Sequence, residues 1–162
     1  MLISEKLNQA MNGQIGSELG ASNQYLQAAA HFGREDLPEL AGFFFRQSDE
    51  ERGHALKFVH YILDAGGTVA IPALSGPTQE IKSAAQAAQI SLDSEKRVTD
   101  QINALQQLAT GEKDFAALRF LSWFAEEQIE EISTMTELVN TIRRAGDQIL
   151  LVEAALSRRG DK

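Results

Sequence analysis

Four long segments of the chain carry apolar residues at spacings of three and four, and this periodicity constrains the fold more than any other feature. It is the spacing of one face of an α-helix, whereas a half-buried strand would show sustained alternation of apolar and polar residues. Glycines and prolines separate the segments, as expected between helices. The sequence therefore predicts an all-α protein with helices over about 4–32, 37–65, 79–110 and 113–145.

The lengths of the connections predict how these helices pack. The first two helices are joined by a short connection, as are the last two, so each pair should be antiparallel. Residues 66–78 between the pairs contain two prolines and three glycines and should cross the length of the bundle in extended form. We expect one domain over 1–162, comprising a four-helix bundle at about 4–145 and a short C-terminal helix at about 147–158.

The predicted C-terminal helix is almost entirely apolar. The segment from Ile149 to Leu156 leaves little polar face, apart from Glu153. Such a helix forms an exposed apolar patch unless something covers it. We expect it to be an assembly element that contacts other subunits. The alternative is a fifth helix that folds back on its own subunit.

An ionisable side chain interrupts the apolar stripe near the middle of each long helix. Glu18, for example, stands where the spacing of Leu7, Met11 and Ile15 calls for another apolar residue. The interrupting residues are Glu18 in the first helix, Glu51 and His54 in the second, Glu95 in the third and Glu131 in the fourth, with Gln128 one turn before Glu131. In a bundle of this topology they meet at one level.

Four carboxylates in one core need positive charge beside them, because burying a single uncompensated carboxylate costs several kcal/mol. No lysine or arginine lies on the stripes, so a pair of divalent cations is the natural compensation. The chain has no cysteine, and oxygen ligands with one imidazole suit Fe(II), Mn(II) and, less well, Zn(II). We expect iron, because two irons with open positions can reduce dioxygen. The alternative is that the acids lie at stripe edges and reach solvent.

Two further groups lie beside the predicted site. Tyr25 is two turns from Glu18 on the same face, so its hydroxyl either bonds a metal-binding carboxylate, donates an electron during oxygen reduction, or belongs to an ordinary core tyrosine. Glu50, Glu127 and Glu130 point to one side of the bundle. They form either a solvated face, a third iron site, or a corridor leading from the site.

The charge and hydropathy of the chain exclude several classes of partner. The formal net charge of −8 argues against nucleic acid and anionic membranes, which need clustered lysine and arginine. No apolar run approaches the ~20 residues of a membrane span. The N-terminal residues lack the basic and apolar regions of a signal peptide. We therefore expect a cytoplasmic protein with neither a nucleic-acid nor a membrane partner.

Four segments resemble the bacterial non-haem ferritins, and the resemblance covers essentially the whole chain: MNGQIGSELGASNQYLQAA, FFRQSDEERGHALKFVHYI, ISLDSEKRVTDQI and FLSWFAEEQIEE. It implies a ferritin-like four-helix bundle that oxidises Fe(II) with dioxygen and assembles into a twenty-four-subunit shell storing ferric mineral, with the short last helix at the four-fold axis. It also implies a ligand set. Glu18, Glu51 and His54 would bind one iron, Glu51, Glu95 and Glu131 the other with Gln128 beside it, and Glu50, Glu127, Glu130 and Glu131 a third.

The sequence departs from related families at informative positions. The general di-iron bundle has two Glu-x-x-His pairs, whereas here Gln128-x-x-Glu131 stands in place of the second. Bacterioferritins carry a haem-binding methionine directly after the bridging glutamate, and here that position is Arg52, so no haem is expected. In the fourth helix, Glu126, Ile129 and Ile132 replace residues that we would expect to be different or more polar in a ferritin. This departure concerns the movement of iron through the protein and not the di-iron site itself.

Three other functions are compatible with parts of the pattern. A di-iron oxidase or peroxidase without a storage role, resembling the bundle domain of rubrerythrin, would use the same site, but the chain lacks the cysteines of its usual partner domain. A metal-free helical scaffold would bind no Fe(II). The miniature ferritins that protect DNA place their metal site between subunits and lack the last helix.

Overall fold

The four segments with helical periodicity form the four long helices of a bundle. The computed structural model describes residues 2–77 and 79–160, and all regular structure in this part of the chain is helical. The helices are α1 (Glu5–Arg34), α2 (Pro38–Asp64), α3 (Ala84–Glu112), α4 (Phe115–Ala145) and α5 (Ile149–Gly160). α1 pairs with α2 and α3 with α4, and α1 also packs on α3. The predicted all-α class is confirmed.

The third helix begins five residues later than predicted, at Ala84 instead of Gln79. The hydroxyl of Ser83 accepts a hydrogen bond from the backbone N–H of Gln86 at 3.1 Å, and Gln86 Oε1 accepts one from the N–H of Lys82 at 2.8 Å. This reciprocal pairing resembles a capping box and fixes the start of the helix. The residues before Ser83 therefore remain non-helical.

The junction between α3 and α4 also differs from the prediction. α3 continues through Gly111 to Glu112, and Lys113 ends it in a left-handed conformation with φ of 57°. Asp114 then accepts a hydrogen bond from the N–H of Ala117 at 2.9 Å and caps α4. α4 therefore begins at Phe115 and not at Lys113, which belongs to the turn.

The predicted crossover is present and runs along α1. Asn8 and Asn12 each donate to the carbonyl of Thr68, at 3.1 and 2.9 Å, and Asn12 Oδ1 accepts from the N–H of Ala70 at 2.7 Å. These side chains satisfy backbone groups that an extended segment would otherwise leave unpaired. Thr78, the last residue of the predicted crossover, lies outside the described residues.

The apolar core consists of two clusters separated by a polar layer. One cluster contains Phe32, Phe44 and Met135 and extends to α5. The other contains Met11, Phe58 and Leu121 at the opposite end of the bundle. The acids predicted to interrupt the four stripes lie between them and are themselves buried. The polar layer therefore has apolar material on both sides and little access to water.

α5 has one face on its own subunit and one face exposed. Val152 and Leu156 are buried against the first cluster, whereas Leu150 and Leu151 are 72% and 54% exposed. The Glu153 carboxylate accepts hydrogen bonds from the backbone N–H groups of Glu39 and Leu40, at 2.9 and 2.8 Å. The fold-back of α5 on its own subunit is confirmed for its buried face, and contact of the exposed face with other subunits remains a prediction. Among the described residues, no helix is long and apolar enough to cross a membrane.

Candidate metal centre

The ionisable residues from the middle of the four long helices converge on one buried site. Every member is at most 3% exposed: Glu18 on α1, Glu51 and His54 on α2, Glu95 on α3, and Glu131 on α4. Ligand atoms of Glu18, Glu51 and His54 lie within 4.8 Å of one another, and so do those of Glu51, Glu95 and Glu131. Glu51 belongs to both groups. The structure therefore brings together two adjoining triads with a shared carboxylate.

His54 is held by α2 and by two aromatic rings of α4. Its Nδ1 lies 3.1 Å from Glu51 Oε2, one turn earlier on the same helix. Trp123 and Phe124 meet the imidazole edge to face, at centroid distances of 5.6 and 5.8 Å. Burial lowers the pKa of His54, so the ring is held neutral, as a metal ligand must be.

Glu95 has the largest number of hydrogen-bond donors in the site. The hydroxyl of Tyr25 donates to Glu95 Oε1, which is the carboxylate contact considered for Tyr25 from the sequence. Gln128 Nε2 lies 3.3 Å from Glu95 Oε2 and donates to the Glu95 carbonyl at 3.1 Å. Gln128 also contacts the hydroxyl of Thr99 at 3.3 Å. Gln128 therefore orients Glu95 while its own side chain remains beside the second triad.

Sequence reasoning missed one member of the site, Gln14. It is 4% exposed, and its Nε2 donates to Glu18 Oε1 at 2.9 Å. Its position four residues before Glu18 was the available signal, because such pairs meet on one helix face. The second oxygen of Glu18 and Oε1 of Glu51 are buried without any hydrogen-bond partner. Two carboxylate oxygens are thus left free for a ligand.

The carboxyl groups of the site hold protons more tightly than ordinary glutamates do. Burial raises the pKa of Glu18 to about 7 and that of Glu131 to about 9, and the nearby Glu95 adds to both shifts by charge repulsion. Burial, followed by repulsion from Glu95 and Glu18, raises the pKa of Glu51 well above 4.5. Burial also raises the pKa of Glu95. Such a site gains free energy when a cation replaces these protons.

The remaining acids predicted beside the site line an adjoining cavity of about 210 Å³ between α2 and α4. Ligand atoms of Glu50, Glu127, His54 and Glu131 lie within 4.8 Å of one another. Glu130 lines the cavity but does not belong to this group, so His54 stands where the ligand set implied by the resemblance had Glu130. Burial, then Glu50 and Glu130, raise the pKa of Glu127.

This arrangement can be compared with known families. Residues 8–145 match the ferritin family of ferritin-like domains. The chain belongs to the ferritin family. It is 38% identical to ferritin BfrB of Mycobacterium tuberculosis over 156 residues, which cover 96% of this chain and 86% of that protein. It is 35% identical to the bacterial non-heme ferritin of Staphylococcus aureus over 146 residues, covering 90% and 88% of the two chains.

Solved ferritin structures have the same fold as this ferritin. The open pore ferritin of Archaeoglobus fulgidus superposes with a TM-score of 0.92 at 33% sequence identity, with 96% of each chain covered. A closed form engineered from that ferritin superposes equally well, again at 33% identity. Family membership connects this ferritin with iron storage, and its buried carboxylate and imidazole groups are of the type that binds iron.

Proposed function

We propose that this ferritin oxidises Fe(II) to Fe(III) with dioxygen at the buried site between its four long helices, and that it stores the product as ferric mineral inside a shell. Fe(II) and dioxygen are the substrates, and each Fe(II) gives up one electron to dioxygen. The protein requires no haem for this reaction. The proposal takes residues 1–162 as one domain and places the protein in the cytoplasm.

In this proposal the two triads are the two iron positions. Glu18, Glu51 and His54 bind one Fe(II), and Glu51, Glu95 and Glu131 bind the other, so that Glu51 bridges the pair. Gln128 holds Glu95 in place by two contacts. The irons would then lie close enough to act on one dioxygen molecule.

The observation that carries the proposal is the absence of compensating charge. Within residues 2–77 and 79–160, no lysine or arginine forms an ion pair with Glu18, Glu51, Glu95 or Glu131. A cluster of buried acids without cations is costly, and burial accordingly raises the pKa values of these carboxyl groups. Divalent cations replace the protons and restore the ordinary charged state of the carboxylates.

The protein groups around the irons have distinct parts in the reaction. Burial raises the pKa of Tyr25 well above 10, and the charges of Glu95 and Glu51 raise it further. The hydroxyl therefore stays protonated at neutral pH and donates a hydrogen bond to Glu95. Because its hydroxyl contacts Glu95, a carboxylate of the second triad, we assign Tyr25 the role of supplying an electron during oxygen reduction. Carboxylates suit the oxidation because they bind Fe(III) more tightly than Fe(II) and can change between bridging and terminal binding.

The cavity between α2 and α4 is the proposed third iron site. Glu50, Glu127 and Glu131 supply carboxylates there, His54 contacts both this group and the first triad, and Glu130 stands in the lining of the cavity. Iron bound there would lie directly beside the oxidation site, because the two sites share His54 and Glu131. The shared residues His54 and Glu131 make the third site a passage for iron as well as a place of binding.

The oligomer is proposed to be a shell of twenty-four subunits. The support is membership in the ferritin family together with the exposed face of α5, on which the side chains of Leu150 and Leu151 are exposed to solvent. An apolar face of this kind is covered by a neighbouring subunit in a stable assembly.

The first test is aerobic addition of Fe(II) to the metal-free protein, followed by size-exclusion chromatography with iron measured in the protein peak. A particle with the mass of a large shell and far more than two irons per chain is the expected result. A small species that retains about two irons per chain would indicate a di-iron oxidase without storage. A species that retains none would refute the assignment of the site.

The second test compares Glu95→Ala with Asp93→Ala in stopped-flow oxidation of Fe(II). Asp93 is an exposed acid on the same helix and accepts a hydrogen bond from Gln89 on the surface. Glu95→Ala should abolish the fast phase while leaving the shell assembled, whereas Asp93→Ala should leave the fast phase unchanged. Equal rates in the two variants would contradict the assigned role of Glu95.

A further inference from the structure

A groove of about 400 Å³ runs between α1 and α3, on a different face from the acidic cavity between α2 and α4. Small side chains form much of its wall because α1 places a glycine and an alanine there. The lining residues are Ala10, Gly13, Gln14, Ser17, Gln101, Ala104, Leu105 and Leu108. None of these residues carries a charge, although nearly a quarter of the chain's residues are charged.

Gln14 connects this groove with the metal centre. Its side chain lines the groove, and its amide nitrogen donates to Glu18 Oε1 at 2.9 Å. Glu18 is fully buried and keeps its other oxygen unpartnered. One side chain therefore contacts both the groove and a carboxylate of the first triad, so Gln14 is the residue that separates the groove from Glu18.

The chemistry of the two faces suits two different substrates. Fe(II) is strongly hydrated and loses its water only to oxygen-rich, negatively charged ligands, which the acidic cavity between α2 and α4 provides. The groove between α1 and α3 has no carboxylate with which to replace that hydration shell. Dioxygen is small, neutral and poorly hydrated, and it partitions into apolar space without cost.

We propose that dioxygen reaches the di-iron site through the groove between α1 and α3 and that Gln14 is the residue at which this route meets the site. The inference rests on the proposed oxidation of Fe(II). It gives Fe(II) a route through the cavity between α2 and α4 and dioxygen a separate route through the groove between α1 and α3. Gln14 acts as a positioning residue, since it touches Glu18 and not the reacting atoms.

Gly13→Phe tests the route directly. Gly13 lines the groove, and a Cβ added there meets no atom within 4 Å, so a side chain can start at this position without a clash. Replacing a glycine within a helix also stabilises the helix. The matched control is Gly20→Phe, because Gly20 lies two turns further along the same face of α1, is equally open, and lines a neighbouring pocket that does not include Gln14.

The measurement is the second-order rate constant for dioxygen, obtained by stopped flow after the site has been loaded with Fe(II) without oxygen. Gly13→Phe should lower this constant several-fold, while Gly20→Phe should match the parent protein. The affinity for Fe(II), measured by anaerobic calorimetry, should be the same in all three proteins. Equal rate constants in the three proteins, or a lower Fe(II) affinity in Gly13→Phe, would overturn the proposal.

A measurement without iron separates this inference from the proposed function. In a crystal of the metal-free parent protein under xenon pressure, xenon should bind in the groove beside Gln14, and Gly13→Phe should remove it. An empty groove in the parent protein would overturn the proposed route. Failure of the parent protein to oxidise Fe(II) at all would instead refute the proposed function.

Discussion

One carboxylate of α5 adds two hydrogen bonds to the apolar contacts that attach this helix to the rest of the subunit. Leu37, the residue before α2, makes no side-chain capping hydrogen bond, and the first turn of α2 obtains its acceptor from Glu153 on α5. Two charge-assisted hydrogen bonds hold this contact, and the negative charge also faces the positive end of the α2 dipole. Glu153→Ala removes all of these interactions together.

The expected loss follows from the geometry. Water can reach the freed N–H groups because the contact is only partly buried, so we expect a loss of about 2–3 kcal/mol per chain instead of the sum of two fully buried bonds. For a chain of this size that corresponds to a fall in Tm of about 5–10 °C. Glu153→Gln keeps one acceptor oxygen without the charge and should give an intermediate loss.

Hydrogen exchange followed by mass spectrometry tests where the stability is lost. Peptides from 149–160 should exchange faster in Glu153→Ala by roughly 30-fold or more, the factor that corresponds to 2 kcal/mol. Val152 and Leu156 remain buried and should keep α5 docked most of the time. The control is Glu35→Ala, which removes an exposed ion pair with Arg34 and should cost less than about 0.5 kcal/mol. Unchanged exchange in 149–160 would refute the assigned role of Glu153.

Three further perturbations have defined outcomes. Gly67→Ala should lower the free energy of unfolding by about 1–3 kcal/mol in urea titrations, because its Cβ would overlap the side chain of Asn8; an unchanged midpoint would contradict this. Tyr25→Phe should lower the stability of the metal-free protein by about 1 kcal/mol through loss of a buried hydrogen bond, and it should slow oxidation while retaining Fe(II) binding; wild-type stability and rate would contradict both roles. The metal-free protein should become less stable as pH rises. Burial raises the pKa of Glu18 to about 7 and that of Glu131 to about 9, above the ordinary 4.5, so the folded state holds protons that the unfolded state releases. This stabilisation is complete below about pH 4.5 and is lost as pH passes through 7 and then 9, and Glu131→Gln should flatten the upper part of a plot of Tm against pH.

The helices and the buried acids were predictable because both follow from the spacing of residues that are close together in the sequence. A stripe of apolar residues fixes which side of a helix faces the core, and an acid within the stripe, such as Glu18 or Glu95, is then placed inside without knowledge of its neighbours. The same spacing placed Tyr25 beside the acids but left its role open, and the contact of its hydroxyl with Glu95 was established only by the structure. Predicting that the acids meet at one level required only the order and direction of the helices.

The features that the sequence did not predict depend on tertiary contacts or on a competing local signal. Glu153 caps α2 across a separation of 114 residues, and nothing near it in the sequence indicates that partner. Glu130 lies one residue from a site carboxylate, yet the structure places His54 and not Glu130 within ligand distance of Glu50 and Glu127. The start of α3 was misplaced because helix-forming residues precede Ser83, whereas the capping pattern of Ser83 with Gln86 determines the boundary.

The polar layer between the two apolar clusters also has a consequence for how the sequence can change. Because the layer separates Phe44 and Met135 on one side from Phe58 and Leu121 on the other, side chains of the two clusters do not repack against each other. Substitutions in distant, unconnected positions have additive effects on stability. The cluster that carries α5 can therefore vary while the opposite cluster stays constant. Substitutions in this half of the subunit should leave the opposite cluster unaffected, whereas Tyr25, which belongs to this half and contacts Glu95, must be kept to preserve the metal centre.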